Sequence, residues 1–168
     1  MSVFSDAGVP LWAPAGDRPP VPGAAPAALR SCRVLTIGTF DILHFGHVAF
    51  LIQCARLGTE LLAGVNSDAF AAKFKAAPVM SEEERVWSLR QLGYRTLLND
   101  GPGRDLIESA APDVLAIGSD WARKDYLAQV DVTQDWLDER KVILAYVPYV
   151  QAMPISTTEI RRRVRERA

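Results

Sequence analysis

Short apolar segments alternate with helical segments from Arg33 to the end of the chain, and this alternation most restricts what the chain can fold into. The apolar segments RVLTIG, ELLAGV, TLLN, DVLAIG and KVILAYV have the length of buried strands. The segments between them carry helical spacing or helix-start signals, as in GHVAFLIQCARLG, SEEER, RDLIESA, TQDWLDER and STTEIRRRVRER. Strands joined through helices form parallel sheets by right-handed crossovers. We therefore predict an α/β fold of one domain, a doubly wound, Rossmann-like parallel sheet with helices on both faces.

The beginning of the chain differs from the rest. Residues 1–31 hold more than half of the eleven prolines, together with many alanines and glycines, and they show no apolar periodicity. Such a segment buries too little surface to offset its ordering entropy. We predict a flexible, Pro/Ala-rich tail over residues 1–31 and a folded domain over residues 32–168.

Composition excludes several classes of partner. The formal net charge of −1 gives no reason to expect nucleic acid or an acidic membrane surface. No apolar run approaches the roughly 20 residues of a membrane span, and the N-terminus lacks the features of a secretory signal. Cys32 and Cys54 are too few for a disulfide framework, which fits a reducing compartment. We expect a cytoplasmic protein that neither binds nucleic acid nor inserts into membranes.

Both histidines of the chain follow the first predicted strand, in the segment GTFDILHFGH. His44 and His47 are three residues apart where a helix begins, so they share one face of its first turn beside free backbone N–H groups. A helix start attracts phosphate, and Gly46 lets a phosphate approach the backbone closely. Such donors stabilise the charge that develops on a phosphoryl group during in-line displacement.

Other interpretations of this segment are less specific. His44 could cap the turn while His47 packs inside the helix. A zinc site lacks a third ligand, since two imidazoles without a nearby cysteine are too few. Asp41 is predicted either to orient a nucleotide group, to help hold a magnesium ion through phosphate, or to cap the turn.

The segment GTFDILHFGH, together with ISTTEIRRR near the end of the chain, resembles the cytidylyltransferase family, in particular the glycerol-3-phosphate cytidylyltransferases. The resemblance extends from Arg33 to Arg163. The H-x-G-H pattern is shared by the wider nucleotidyltransferase superfamily, so alone it indicates the reaction type but not the base. The segments GVNSDAF and PDVLAIGSDW also resemble the heptose-phosphate adenylyltransferases, which keeps ATP as an alternative to CTP.

The resemblance implies a nucleotide site built from three loops and the start of the last helix. Catalytic roles are implied for His44, His47, Lys75 and Thr157. Contacts to the nucleotide are implied for Gly38, Thr39, Phe40, Asp41, Gly46, Lys73, Gly118, Asp120, Trp121, Ile155, Ser156, Thr157, Thr158 and Arg161.

Four basic residues are candidates for holding phosphates. Lys73 and Lys75 resemble the family's paired lysines, and flexible point charges after a strand are suited to clamping phosphates. A solvated helix face is the alternative for them. Lys73 is also predicted to contact the acceptor, together with Arg123 and Lys124. Trp121, which precedes Arg123 and Lys124, could pack in the core instead of contacting the nucleotide.

The start of the last predicted helix offers a second anion cradle. Ser156, Thr157 and Thr158 supply hydroxyls and free amides, and Arg161 lies one turn further, within reach of a β or γ phosphate. A capping box formed by Ser156 and Glu159, like the one at Ser81 and Glu84, would explain part of this pattern without a ligand.

Two departures from the family pattern concern substrate contacts. Ser119 stands where the family has an aspartate, and the stretch PYVQAMP lacks the arginine–threonine pair that the family has before I-S-T-T. The resemblance implies transfer of CMP from CTP to a phosphorylated small alcohol such as glycerol 3-phosphate. It also implies Mg²⁺ as cofactor and a homodimer. The alternatives are adenylyl transfer from ATP to a sugar phosphate, or a catalytically silent nucleotide-binding module.

Overall fold

The structure is a computed structural model that describes residues 31–74, 76–122, 124–148 and 155–167. The predicted flexible tail up to residue 30 lies outside these ranges, as do Lys75, Arg123 and residues 149–154 of the PYVQAMP stretch. The predictions for those positions therefore stay predictions.

Five parallel strands form one sheet, as the alternating pattern predicts. They are β1 Arg33–Gly38, β2 Glu60–Asn66, β3 Arg95–Asn99, β4 Val114–Gly118 and β5 Ile143–Val147. Their order in the sheet is β3-β2-β1-β4-β5. The chain therefore moves outward from β1 to β3 and then returns to the other side of β1, so the strand order reverses between β1 and β4. Ligands of doubly wound sheets bind beyond the carboxyl ends of the strands at such a point.

Helices cover both faces of this sheet. They are α1 Phe45–Ala55, α2 Asp68–Ala71, α3 Glu82–Gln91, α4 Arg104–Ala110, α5 Tyr126–Gln129, α6 Gln134–Glu139 and α7 Thr157–Arg167. None of these described helices is long and apolar enough to span a membrane.

The core is divided by the sheet into two layers, because successive strand residues point to opposite faces. Val34 packs in one layer with Leu51 of α1 and Leu89 of α3. Leu35 packs in the other layer with residues of α4 and α6, including Leu137. The doubly wound α/β prediction is confirmed by this arrangement.

The helix starts are fixed by side-chain caps that the sequence partly predicts. Ser81 and Glu84 form both hydrogen bonds of the predicted capping box at α3. At α7 the Ser156 hydroxyl accepts from the Glu159 amide at 3.1 Å, while the Glu159 carboxylate accepts from Arg162 and Arg163. The described hydrogen bonds thus contain the serine half of the second predicted box.

Candidate functional site

The loop between β1 and α1 lies at the point where the strand order reverses, and its backbone is held in an unusual form. Phe40 and Ile42 have φ values of 53° and 46°, a left-handed conformation that side chains other than glycine rarely adopt. The Phe40 ring is buried against Gly38, where an added Cβ would lie 3.1 Å from two ring atoms. Strained residues of this kind cost about 1–3 kcal/mol each and persist where the surrounding structure holds them.

The two histidines lie against each other at the start of α1. The His44 imidazole caps the helix, because its Nδ1 accepts from the Gly46 amide at 3.1 Å. The His47 ring stacks on the His44 ring with centroids 3.8 Å apart and 20° between the planes. The Phe40 ring meets the His47 ring edge-on, with centroids 5.6 Å apart. Because His44 Nδ1 is an acceptor, the proton of the neutral ring belongs on Nε2.

Both imidazoles are held in the neutral form. Burial lowers the pKa of His44 below its ordinary value. Burial also lowers the pKa of His47 to about 3, assisted by the nearby His44 and opposed by the Asp41 carboxylate. Nδ1 of His47 is buried without a hydrogen-bond partner in the part of the chain that the structure describes. The pair therefore offers ring N–H donors, rather than two fixed charges, to an incoming anion.

Asp41 joins three segments around this pair. Its Oδ1 accepts from the amides of Val79 and Met80, both at 3.0 Å, and its Oδ2 accepts from Arg161 at 2.8 Å. Burial alone would raise the pKa of Asp41, but the Met80 amide, the Arg161 guanidinium and the Val79 amide offset this effect and lower the pKa below its ordinary value. The carboxylate is therefore ionised and fully engaged.

The start of α7 docks onto the same loop. The Thr157 hydroxyl donates to the Asp41 carbonyl at 2.7 Å, and Arg161 donates to the Ala77 carbonyl at 2.7 Å as well as to the Asp41 carboxylate. The Ile155 carbonyl lies beside Gly46, where an added Cβ would be 3.4 Å away from it. The I-S-T-T segment is thereby placed over the beginning of α1.

This geometry brings together most of the residues that are predicted to contact the nucleotide or to act in catalysis. Those on the loop after β1 and on α1 lie next to the I-S-T-T segment and Arg161. The guanidinium of Arg161 contacts protein oxygens here, so its predicted place at a β or γ phosphate would require it to exchange these partners.

The remaining candidates lie in other loops. Lys73, just beyond α2, is exposed, with its Nζ 5.7 Å from the centre of the Phe70 ring. Beyond the end of β4 at Gly118, the Nζ of Lys124 lies 3.6 Å from Asp120 Oδ2 and 4.9 Å from the centre of the Trp121 ring. The predicted acceptor cation Lys124 and the predicted nucleotide contact Asp120 are thus paired with each other.

One buried residue at this edge of the sheet is absent from the sequence analysis. Arg85 of α3 is completely buried, and its guanidinium donates to carbonyls of Thr39 and Asn66 and pairs with Asp68. The only local signal for it is the helix spacing, since Arg85 precedes the fully buried Leu89 by one turn.

The described residues contain no cluster of metal-binding side chains. Among them, no group of three or more His, Cys, Asp or Glu side chains is placed to hold a metal ion. The carboxylate of Asp41, the one candidate, already accepts from two amides and a guanidinium. This geometry does not favour the predicted role of Asp41 in holding the ion.

Comparisons with known proteins place the chain in a family. The chain matches a family model described as cytidylyltransferase-like over residues 35–163. It is 36% identical to the bifunctional protein HldE of Magnetococcus marinus over 137 residues, which is 78% of this chain and 26% of that protein. It is 33% identical to the protein of the same name from Campylobacter concisus, over 79% of this chain and 27% of that protein. The chain thus spans about a quarter of the length of these relatives.

Solved structures show the same fold. The lipopolysaccharide core biosynthesis protein of Thermoplasma volcanium superposes with a TM-score of 0.61 at 26% identity, over 74% of this chain and all of that chain. A protein of Archaeoglobus fulgidus superposes with a TM-score of 0.56 at 17% identity, over 74% of this chain and 95% of that chain. The second likeness concerns the fold alone.

Proposed function

We propose that this chain, which belongs to the cytidylyltransferase-like family, is a nucleotidyltransferase that transfers an adenylyl group from ATP to a sugar phosphate. The observation that carries the proposal is the stacked pair of His44 and His47 at the start of α1, where the strand order of the sheet reverses. Neutral imidazole donors and Gly46 lie at this helix start, and helix starts attract phosphate groups.

The choice of ATP and a sugar phosphate rests on sequence features and on relatives. The segments GVNSDAF and PDVLAIGSDW resemble the heptose-phosphate adenylyltransferases. The first spans the end of β2 and most of α2, and the second spans β4 and the turn after it. The relatives named HldE and the protein named for lipopolysaccharide core biosynthesis also favour adenylyl transfer to a sugar phosphate over cytidylyl transfer. The missing arginine–threonine pair and Ser119 are departures from the cytidylyltransferase pattern at positions assigned to substrate contacts.

Transfer of CMP from CTP to a phosphorylated alcohol such as glycerol 3-phosphate is the second candidate. The I-S-T-T segment and the description of the family model favour it. For either nucleotide we propose that Mg²⁺ arrives bound to the triphosphate, since the described side chains offer it no ligand set. The family resemblance also favours a homodimer.

The chemistry that this site supports is a single in-line displacement. An oxygen of the acceptor phosphate forms a bond to the α-phosphorus, and the bond from that phosphorus to the oxygen of the leaving pyrophosphate breaks. No general base is needed, because a phosphate monoester is already ionised near neutral pH. His44 and His47 donate hydrogen bonds to the phosphoryl oxygens as negative charge develops on them. Asp41 keeps the loop and the start of α7 in place around the reacting groups.

Pyrophosphate release tests this proposal. The purified chain is incubated with Mg²⁺, each of the four nucleoside triphosphates, and a panel of sugar phosphates and phosphorylated alcohols. We expect release with ATP and a sugar phosphate, and a loss of about 100- to 1,000-fold in kcat for His44→Ala, because one transition-state donor is removed. Arg90→Ala is the control, since Arg90 is exposed and bonds to the Thr96 hydroxyl, and it should retain full activity.

Other outcomes of this assay separate the alternatives. Release with CTP and a phosphorylated alcohol, but not with ATP, would replace the proposal by the cytidylyltransferase reaction. Tight triphosphate binding without release for any acceptor would indicate a silent binding module.

A further inference from the structure

We infer that Arg85 is a positioning residue for nucleotidyl transfer, which holds the loop that carries Phe40 and Asp41 in place relative to the segment after β2 that carries the candidate phosphate ligand Lys73. This inference rests on the proposed function, because it assigns to Arg85 the alignment of that same site. Arg85 does not itself face the space for the substrate, since its side chain is completely buried.

The guanidinium joins three separate segments of the chain through four acceptors. One nitrogen, Nη1, donates to the Thr39 carbonyl of the loop after β1 and to the Asn66 carbonyl at the end of β2, both at 2.7 Å. Nε donates to the Met80 carbonyl at 3.1 Å, just before α3. Nη2 lies 2.5 Å from Asp68 Oδ1 at the start of α2.

These contacts fix the backbone directly beside the histidine pair. Thr39 immediately precedes Phe40, whose left-handed backbone places its ring against Gly38 and His47. A carbonyl held at one point by a buried guanidinium leaves Phe40 little freedom to relax toward an ordinary conformation. Met80, which accepts through its carbonyl from Arg85, donates through its amide to Asp41. Arg85 therefore supports the loop from two directions.

The contact with Asp68 extends the same restraint to the segment that carries Lys73. Asp68 begins the four-residue helix α2, and Lys73 follows that helix by two residues. The Asp68 amide and the Glu82 side chain, and the Glu82 amide and the Asp68 side chain, bond reciprocally at 2.7 Å and 3.2 Å. The segment that carries Lys73 is thus tied to α3 and to the loop after β1 through one guanidinium.

Burial of a charge at this place is better explained by alignment than by stability. Apolar side chains of similar volume often replace a buried ion pair without loss of stability, because the charges no longer have to be desolvated. A guanidinium also presents a planar fork of five donors, whereas a lysine presents a compact point charge with three. Lysine at position 85 would keep the charge but could not hold the four acceptors in the same geometry.

The test is Arg85→Lys, with Arg90→Lys as the matched control on the same helix. ATP affinity by titration calorimetry and kcat with ATP and its acceptor are measured at a temperature where circular dichroism shows each protein to be fully folded. We expect the kcat/KM of Arg85→Lys to fall about 100-fold, since small misplacements of reacting groups have effects of that size. We also expect ATP affinity to weaken, while Arg90→Lys matches the wild type in both. A folded Arg85→Lys with wild-type affinity and kcat, and only a lower melting temperature, would overturn the inference.

A second variant decides the matter if Arg85→Lys does not fold. Asp68→Asn keeps the shape of a half-exposed side chain and leaves Arg85 its three carbonyl acceptors, so we expect it to fold. Loss of the charged partner should loosen the guanidinium and lower kcat by about threefold to tenfold, an effect within the range found between residues that share one hydrogen-bond network. A wild-type kcat in Asp68→Asn would then contradict the inference. Failure of the proposed function is recognised separately, because the wild type would show no turnover, and the affinity measurements would still decide the role of Arg85.

Discussion

At the scale of single residues, the site depends on imidazoles that are neutral before the substrate arrives. Two rings stacked 3.8 Å apart would repel each other if both were protonated, and burial disfavours the charged form of each. A neutral ring still donates from one ring N–H, so the phosphate-binding role proposed for His44 and His47 does not require two cations to lose their hydration first. The negative charge of Asp41 raises the pKa of His47, but not enough to offset burial, so the His47 ring stays neutral.

Stability should report the neutral state of His47. Its pKa in the folded protein is about 3, below the ordinary value of 6.5, so the unfolded chain takes up the proton first as the pH falls. The stability is therefore full above pH 6.5 and declines as the pH falls toward 3. Between pH 7 and pH 5 we expect the wild type to lose about 1–2 kcal/mol more unfolding free energy than His47→Asn. Urea denaturation at both pH values measures this, and parallel losses in the two proteins would contradict it.

We predict that glycine is needed at position 46 because of the space that the His44 ring occupies, and not because of an unusual backbone conformation. An added Cβ would lie 3.0 Å from Cε1 and 3.1 Å from Nδ1 of His44, so Gly46→Ala should push that ring aside. We expect kcat to fall by about tenfold or more, because the donor is misplaced. The unfolding free energy should change little, because alanine favours a helix over glycine by about 1 kcal/mol and this gain offsets the cost of moving the His44 ring. Gly101→Ala, where an added Cβ meets nothing within 4 Å, is the control in both measurements. Wild-type kcat in Gly46→Ala would show that the ring tolerates the displacement.

At the scale of elements, α7 depends on its first turns for its position. Thr157 and Arg161 bond to Asp41 and Ala77, whereas Arg162 and Arg163 further along pair with Glu159 on the helix surface. The last helix of the chain is therefore attached at the end nearest the histidines. This places the I-S-T-T segment over the start of α1.

Removing this attachment should loosen α7 and weaken nucleotide binding together. Arg161→Ala leaves the buried Asp41 carboxylate without its cation, which should cost about 1–3 kcal/mol of unfolding free energy. Faster hydrogen exchange in α7 and a higher KM for the triphosphate should accompany the loss. Arg163→Ala removes only a surface pair of the same helix and should leave all three quantities unchanged. If Arg161→Ala and Arg163→Ala behave alike, the attachment is not made through Asp41.

The elements were largely predictable from the sequence, and the contacts between them were not. The five strands and most helices follow from local apolar patterns and caps, such as Ser81 with Glu84. The four-residue helices α2 and α5 are too short for periodicity to reveal them. Asp41 and Arg161 are 120 positions apart, and nothing local to either residue predicts that they pair. The role of Arg85 is unpredictable for the same reason, since its acceptors come from segments that meet only in the folded sheet.

At the scale of the whole molecule, the reversal of strand order determines where these contacts converge. Because β1 lies at the centre of the sheet, the loop after it can meet the segment after β2 on one side and the start of α7 on another. Arg85 joins the loop to the segment after β2, and Asp41 joins it to the start of α7. The site is thus built from segments that lie far apart in the sequence. The family match, which covers residues 35–163, includes all of these segments.

Competition between ATP and CTP tests the central claim most directly. Equal amounts of both nucleotides are incubated with Mg²⁺ and the sugar phosphate that supports pyrophosphate release, and products are identified by phosphorus NMR and mass spectrometry. We predict a sugar linked to adenosine diphosphate, formed in equal amount with pyrophosphate and lost in His44→Ala. A cytidine product would contradict the choice of nucleotide. The absence of any nucleotide-linked product across the panel of acceptors would contradict nucleotidyl transfer by this chain.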